Sequence, residues 1–366
     1  MNRRPITLTV SLADQLFAQT KSVGIFNLSL GLVEHLSRCS EISRFTVLAN
    51  RTLEGRLPVN TQVQWHEAPA RGRLARMLWD QWGVYTAAAR TGNDWLFLPK
   101  GFASFLRPSP VRLAACVADT IHDHYREHYP QSVNALEQAY FVRSFWGTVR
   151  HARVLFTISD FTTGEILRLA KARGLTPPSV HTIGIGFNRP EAAPGARENR
   201  LVVLASPFPH KRTALAVEWF ARWQRETAFA GEVDWVGRAP AELAWPACAN
   251  WRRHERLPEA DYRALLARAR ALVFFTDYEG FGMPPVEAAL VGACPVFSAV
   301  PATREVMADC GCAFANSDYE SFRRAMDNAL KTSAETVASW AGQLLTRHDW
   351  AKVTERVVRG LQDAPS

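Results

Sequence analysis

The feature that most limits what this chain can fold into is a rhythm that runs out and starts again. Short strand-forming runs, "ITLTVSL", "FTVLAN", "DWLFLP", "VRLAACVAD" and "RVLFTIS", alternate with amphipathic stretches such as "LSLGLVEHLSR" and "LARMLWDQWGVYTAAAR". Strands separated by helices make crossover connections, so this order predicts parallel sheets flanked by helices, an α/β fold. After Ile183 the segment "GIGFNRPEAAPGARENR" mixes Gly, Pro and charge without periodicity and reads as a linker. The alternation then resumes with "LVVLAS", the helical "TALAVEWFARWQRE", "VDWVG", "YRALLARAR", "ALVFF" and "CPVFS". A chain of 366 residues is long enough to bury two cores. The expectation is two doubly wound Rossmann-like domains, 1–187 and 199–349, joined by a linker over 188–198. Open sheets of this type bind ligands outside the carboxyl ends of their strands, which puts the expected site in a cleft between the domains.

Composition narrows the function classes. No apolar run is long enough to cross a bilayer. The opening "MNRRPITLTVSL" has a basic head but neither a long enough apolar region nor a small-residue cleavage site, so it reads as a first strand and a cytoplasmic protein is expected. The six cysteines, at 39, 116, 248, 294, 310 and 312, are too sparse for a disulfide framework. Cys310 and Cys312 have no second pair or His at ligand spacing, so reduced thiols are expected and no metal site. A net charge of +8 favours anionic partners, such as nucleotides, phosphorylated substrates or an acidic membrane surface. The basic residues are spread along the chain, and nucleic acid is not an expected partner.

One stretch carries chemistry. "ALVFF" reads as a buried central strand, "PVEAALVG" as a short helix with Pro at its start and Gly at its end, and "CPVFS" as the next strand. The connecting loop "TDYEGFGMP" brackets Gly280 and Gly282 with Glu279 before them and Glu287 after them, inside the first helical turn. Such a loop offers backbone N–H groups to an anion at the positive end of a helix, and glycine lets the backbone approach phosphate oxygens. A carboxylate repels phosphate but accepts strongly from hydroxyls. Hydroxyl acceptors on both sides of a diphosphate site describe a sugar nucleotide. Taken singly, Glu287 reads equally as a complement to the helix dipole and Glu279 as a solvated turn residue.

"EGFGMPPVEA" resembles the E-x7-E signature of the retaining glycosyltransferases of family 4, and "ALVGACPVFSAVPATREV" continues the match. "VHTIGIGFN" resembles the segment closing that family's first domain, "LVVLASPFPHKR" the first strand and phosphate loop of its second, and "RLPEADYRALLARARALVFF" the helix preceding the signature. "HDWAKVTERVV" resembles its tail helix, which returns to the first domain and would span about 350–363 here. The resemblance implies the GT-B fold, two Rossmann-like domains facing an interdomain cleft.

It also implies roles. Glu279 would hold hydroxyls of the donor sugar and Glu287 the nucleotide ribose, with the amides of Gly280, Phe281, Gly282 and Met283 facing diphosphate and sugar. Lys211 would offset the charge of the leaving diphosphate. Ser206 stands where many relatives carry an arginine, which leaves more of that load on Lys211, with Arg212 or His210 helping. Gly24 occupies the place of the glycine-rich turn opening the first helix. In "CVADTIHDHYREHYP" Asp119 matches the family's aspartate as a catalytic candidate, but Ala118 replaces the usual histidine. His122, Asp123 and His124 lie close enough in sequence to substitute, or form a polar surface loop. Ser159 would line the cleft or cap the following helix, and Leu257 would meet the nucleotide base or pack in the core.

The resulting expectation is a retaining, metal-independent hexosyltransferase, moving a mannosyl or related group from a nucleotide-sugar donor to a glycan or lipid-linked glycan. Its expected setting is bacterial lipopolysaccharide or surface-polysaccharide assembly, and no cofactor is expected. The rival readings are a sugar-nucleotide 2-epimerase of the same architecture and a non-catalytic nucleotide-sugar or glycan-binding protein. Arg71, Arg73 and Arg76 beside Leu74, Leu78, Trp79 and Trp82 suggest either a peripheral contact with the cytoplasmic membrane face or, by the resemblance, a buried scaffold helix.

Overall fold

The computed structural model describes residues 5–16, 23–59, 61–190 and 197–365. Up to Phe187 and again from His348 the chain forms one compact unit, and Asn188–Arg347 forms another.

The first unit is built on β1 (Ile6–Ser11), β2 (Ile42–Ala49), β3 (Gln62–Trp65), β4 (Trp95–Leu98), β5 (Arg112–Val117), β6 (Val154–Thr157) and β7 (Ser179–Thr182). They pair in parallel in the order β3-β2-β1-β4-β5-β6-β7. The second unit uses β8 (Arg200–Leu204), β9 (Glu232–Val236), β10 (Trp251–His254), β11 (Ala271–Phe274), β12 (Cys294–Ser298) and β13 (Cys312–Phe314). Their order is β10-β9-β8-β11-β12-β13, again all parallel. Both are Rossmann-like sheets, and the α/β class read from the alternation holds.

The interior strands are the ones whose sequences announce them. "WLFL" of β4, "VLFT" of β6 and "ALVF" of β11 are buried at every position, as strands covered on both faces must be. The four edge strands, β3 "QVQW", β7 "SVHT", β10 "WRRH" and β13 "CAF", were not evident as strands in the sequence. Each has one neighbour and mostly half-buried or exposed side chains, so hydrophobic patterning is not required of it.

In the second unit an aromatic core, with Trp219, Phe220 and Trp223 from the helix Thr213–Thr227, packs on Phe275, Phe314 and Phe322. In the first, the helix beginning at Arg73 widens into a π turn over Trp79–Gly83 and continues to Thr91. Its inner face buries Trp79, Val84 and Tyr85, whereas Leu74, Met77, Leu78 and Trp82 face solvent.

The helix Trp350–Asp363 completes the first unit by packing on the helix Val23–Leu36 and on β6 and β7. Trp350 stacks on His35 at 4.9 Å. The fit requires two glycines, because a Cβ on Gly31 would lie 2.1 Å from the Trp350 ring and one on Gly186 2.3 Å from it. Phe187 N donates to His348 O at 2.9 Å, joining the points where the chain leaves this unit and re-enters it.

Candidate active site

The second sheet changes direction between β8 and β11, and the loops leaving the carboxyl ends of these two neighbours form the site. After β8, Ser206 is fastened to the following helix: its N–H donates to Thr213 Oγ1 at 2.9 Å, and that hydroxyl donates to Ser206 O at 2.7 Å. The loop turns through Pro209–Lys211, with Arg212 at φ 50° before the helix begins. After β11 the chain runs through Asp277 to Glu279 and the glycines. The two loops are tied by Asp277 N donating to His210 O at 2.7 Å and by Arg212 pairing with Asp277 at 3.5 Å.

This stitching brings Lys211 and Glu279 together. Lys211 Nζ donates to Glu279 Oε1, and it also lies over the Phe274 ring, 4.9 Å from its centre. Both side chains are largely enclosed yet reach the surface, at 24% and 15% exposure, which keeps them available to a ligand. Gly282 begins the helix Met283–Leu290 with φ 88°, in the left-handed region that favours glycine. A Cβ there would stand 2.7 Å from Thr303 Cγ2.

Glu287 lies one turn later than its expected place in the first helical turn. The helix starts at Met283, so Glu287 is its fifth residue and no acidic group lies in the first turn. Pro284 and Pro285 are both compatible with that earlier start. Dipole complementation therefore does not account for Glu287. Burial pushes its carboxyl above the usual range, with Arg263 opposing and Glu259 reinforcing the shift. Its charge in turn helps raise the Tyr262 phenol, so Glu287 faces the helix Glu259–Arg268. Leu257 lies just before that helix and packs, half-buried, in the small cluster that includes Tyr262 and Leu265.

Sequence reasoning missed the residue that fixes the loop. Asn316, just past β13, donates from Nδ2 to Thr276 O at 2.7 Å and to Asp277 Oδ1 at 2.9 Å. Its Oδ1 accepts from Ser298 Oγ at 2.7 Å, and the same hydroxyl accepts from Thr276 N at 2.9 Å. No local spacing could reveal a partner 39 positions away.

The remaining candidates belong to the first unit. Gly24 is the second residue of the helix Val23–Leu36, and the preceding Lys21 and Ser22 lie outside the described residues. Asp119, after β5, accepts from Ile121 N at 3.1 Å, at the start of the helix Ile121–His128. His122 packs on Phe145 at 4.7 Å, and burial pushes its imidazole down to about 4, so it is neutral at neutral pH. Asp123 is buried and pairs with Arg126 at 2.6 Å. Ser159, also buried, accepts from Thr162 N at 3.1 Å and caps the helix Asp160–Ala172.

A cation and a carboxylate facing each other at a sheet switch point, with a glycine-started helix beside them, suit a ligand that is anionic on one side and hydroxylated on the other. Residues 189–343 match the family model described as glycosyl transferases group 1. The matched segment lies wholly within the second unit. It contains Lys211, Glu279, Glu287 and Asn316. Beyond that segment, the chain is similar to O-antigen chain mannosyltransferase B of Escherichia coli, 25% identical over 325 residues that cover 79% of this chain and 82% of that protein. Among solved structures it resembles WaaG, a glycosyltransferase involved in lipopolysaccharide biosynthesis (16% identity, 96% and 98% of the two chains, TM-score 0.68). It also resembles Anabaena HepE in complex with UDP and glucose (13% identity, 97% and 99%, TM-score 0.68). These likenesses place the chain in the GT-B fold, and the matched segment falls in its second Rossmann-like unit.

Proposed function

We propose that this chain is a retaining, metal-independent glycosyltransferase that moves a hexosyl group from a nucleotide-sugar donor to a glycan or lipid-linked glycan acceptor. The observation that carries the reading is the meeting of Lys211 and Glu279 at the switch between β8 and β11, inside the matched segment. A sugar hydroxyl and the phosphate attached to the same ring lie a few ångströms apart, as do these two side chains. Glu279 would accept from donor-sugar hydroxyls and Glu287 from ribose hydroxyls, while Lys211 would stabilise the diphosphate as it leaves. Attack from the leaving-group face, with the donor phosphate helping to remove the acceptor proton, needs no protein nucleophile. Asp119, at the carboxyl end of β5, is the first-unit candidate for a catalytic contact. The similarity to an O-antigen mannosyltransferase favours a mannosyl donor and a surface-polysaccharide setting.

A thermal-shift panel of GDP, UDP, dTDP and ADP tests the reading, because a nucleotide at a hundred times its Kd adds about 2.7 kcal/mol of stability. One nucleotide should shift the transition, and its hexose conjugate should release that nucleotide in the presence of acceptor and EDTA. No shift with any nucleotide removes the proposal, and loss of turnover in EDTA removes its metal independence.

The helix with two apolar faces extends the reading to a lipid-linked acceptor. Leu74, Met77, Leu78 and Trp82 are exposed along one side of it, and Arg71 and Arg73 are exposed at its start. An apolar face with flanking arginines fits the interface of an anionic bilayer at the cytoplasmic membrane face. The chain should float with anionic vesicles at low salt, and less so after Trp82→Glu. Failure to float would confine this face to another role.

A further inference from the structure

The two sheets share a topology, and the first also changes direction once, between β1 and β4. Ligands gather at such places. In the second unit the switch carries Lys211 and Glu279. In the first it opens into a crevice lined by Ser11 at the end of β1 and Asp14 just beyond it, Lys100 and Phe102 after β4, and Trp79 and Asp80 from the π turn. All of these residues belong to one unit.

The crevice encloses about 20 Å³. A single water needs roughly 10–15 Å³ on this measure, so there is room for a hydroxymethyl group but not for a sugar ring. Ser11 is 4% exposed, and its Oγ has no hydrogen-bond partner among the described residues. An orphaned hydroxyl is costly in a packed interior, and this one borders an opening. Lys100 Nζ donates to Asp14 Oδ2 at 2.5 Å, which commits the one ammonium that lines the crevice among the described residues. Tyr140 OH donates to Asp80 Oδ2 at 3.0 Å. Burial, helped by the charge of Asp14, pushes the Asp80 carboxyl up to about 7, while Lys100, Tyr140 and Arg76 pull it down. Two carboxyl groups for one cation disfavour a phosphate and suit hydroxyls, and Trp79 and Phe102 add apolar wall for C–H groups. π turns in otherwise regular helices are frequent at functional sites.

We propose that this crevice is an acceptor subsite that takes one hydroxymethyl or ring hydroxyl of an uncharged hexose, with Ser11 Oγ, Asp14 and Asp80 as its hydrogen-bonding partners. The assignment to the acceptor rests on the glycosyltransferase reading; the binding of a neutral sugar does not. Saturation-transfer NMR on the full chain tests it, with methyl α-mannopyranoside, methyl α-glucopyranoside and mannose 6-phosphate as probes and no nucleotide present. At least one methyl hexoside should receive saturation, and mannose 6-phosphate should compete poorly. Ser11→Val, which fills the crevice, and Asp80→Asn, which keeps its shape, should each weaken hexoside binding at least fivefold. Binding of the preferred nucleoside diphosphate, measured by calorimetry, should stay within twofold of wild type. If Ser11→Val does not fold, Asp80→Asn carries the comparison alone. Absent hexoside binding, undiminished binding in the folded variants, or equal binding of the phosphate ester would overturn the proposal. Hexoside binding without any nucleotide binding would leave the crevice as a sugar site and sink the transfer reaction instead.

Discussion

Glu279 and Glu287 share a loop-and-helix segment but call for different tests. Glu279 is paired with Lys211 near the surface, so removing it deletes charge-assisted hydrogen bonds of roughly 1.5–3 kcal/mol each without opening a buried hole. Glu279→Ala should lower kcat by about a hundredfold or more while the folded chain persists, on the scale of two such bonds. Near wild-type turnover would take Glu279 out of the site. Glu287 has a raised carboxyl in the folded chain. Between its ordinary and raised values the folded state holds a proton that the unfolded state has lost, so stability falls as pH rises through that window. On the proposed function, the ribose hydroxyls are held by the ionised form. Glu287→Gln should therefore raise the melting midpoint at pH 8 relative to wild type. The same change should weaken nucleoside diphosphate binding about tenfold, as loss of one charged hydrogen bond would. A variant that binds nucleotide as well as wild type would reassign Glu287 to structure.

At the scale of elements, the same physics decides what the sequence disclosed and where the site is rigid. Strands in the sheet interior must be apolar on both faces, and all of them were legible; β3, β7, β10 and β13 have one free edge and were not. The site divides in a similar way. Glu279, the glycines and Glu287 fall within nine positions and could be read as a motif, and Lys211 emerged from its resemblance to a phosphate loop. Asn316 and the Ser11–Asp80–Lys100 crevice are assembled from segments far apart in the chain, which only the strand order brings together. The helix Met283–Leu290 depends on its first turn. A side chain at residue 282 must adopt φ 88° and displace Thr303, whose hydroxyl donates to Ser298 O at 2.6 Å and so resists moving. The left-handed conformation alone costs roughly 1–2 kcal/mol. Gly282→Ala should lower the melting midpoint of the second unit by about 4 °C or more, read by calorimetry. An unchanged midpoint would mean that the loop relaxes freely.

On the scale of the whole molecule, the last helix makes the first unit depend on the end of the chain. Trp350, Val353, Val357, Val358 and Leu361 are all buried there. At about 1.5–3 kcal/mol per large apolar side chain, their burial amounts to an upper bound on the order of 10 kcal/mol, comparable to the net stability of a domain. Ending the chain at Arg347 should abolish the cooperative transition of the first unit while leaving that of the second, as limited proteolysis would display. Survival of both transitions would show that the tail is dispensable.

The bond from Phe187 N to His348 O has a further consequence. The first unit is interrupted at one spot only, so everything between those residues is an insert whose two ends are held side by side by its host. Such an insert can be exchanged for the counterpart from a related enzyme without cutting either core. On the proposed function, such an exchange would carry Lys211, Glu279 and Glu287 as a cassette and leave the first unit's crevice as it is.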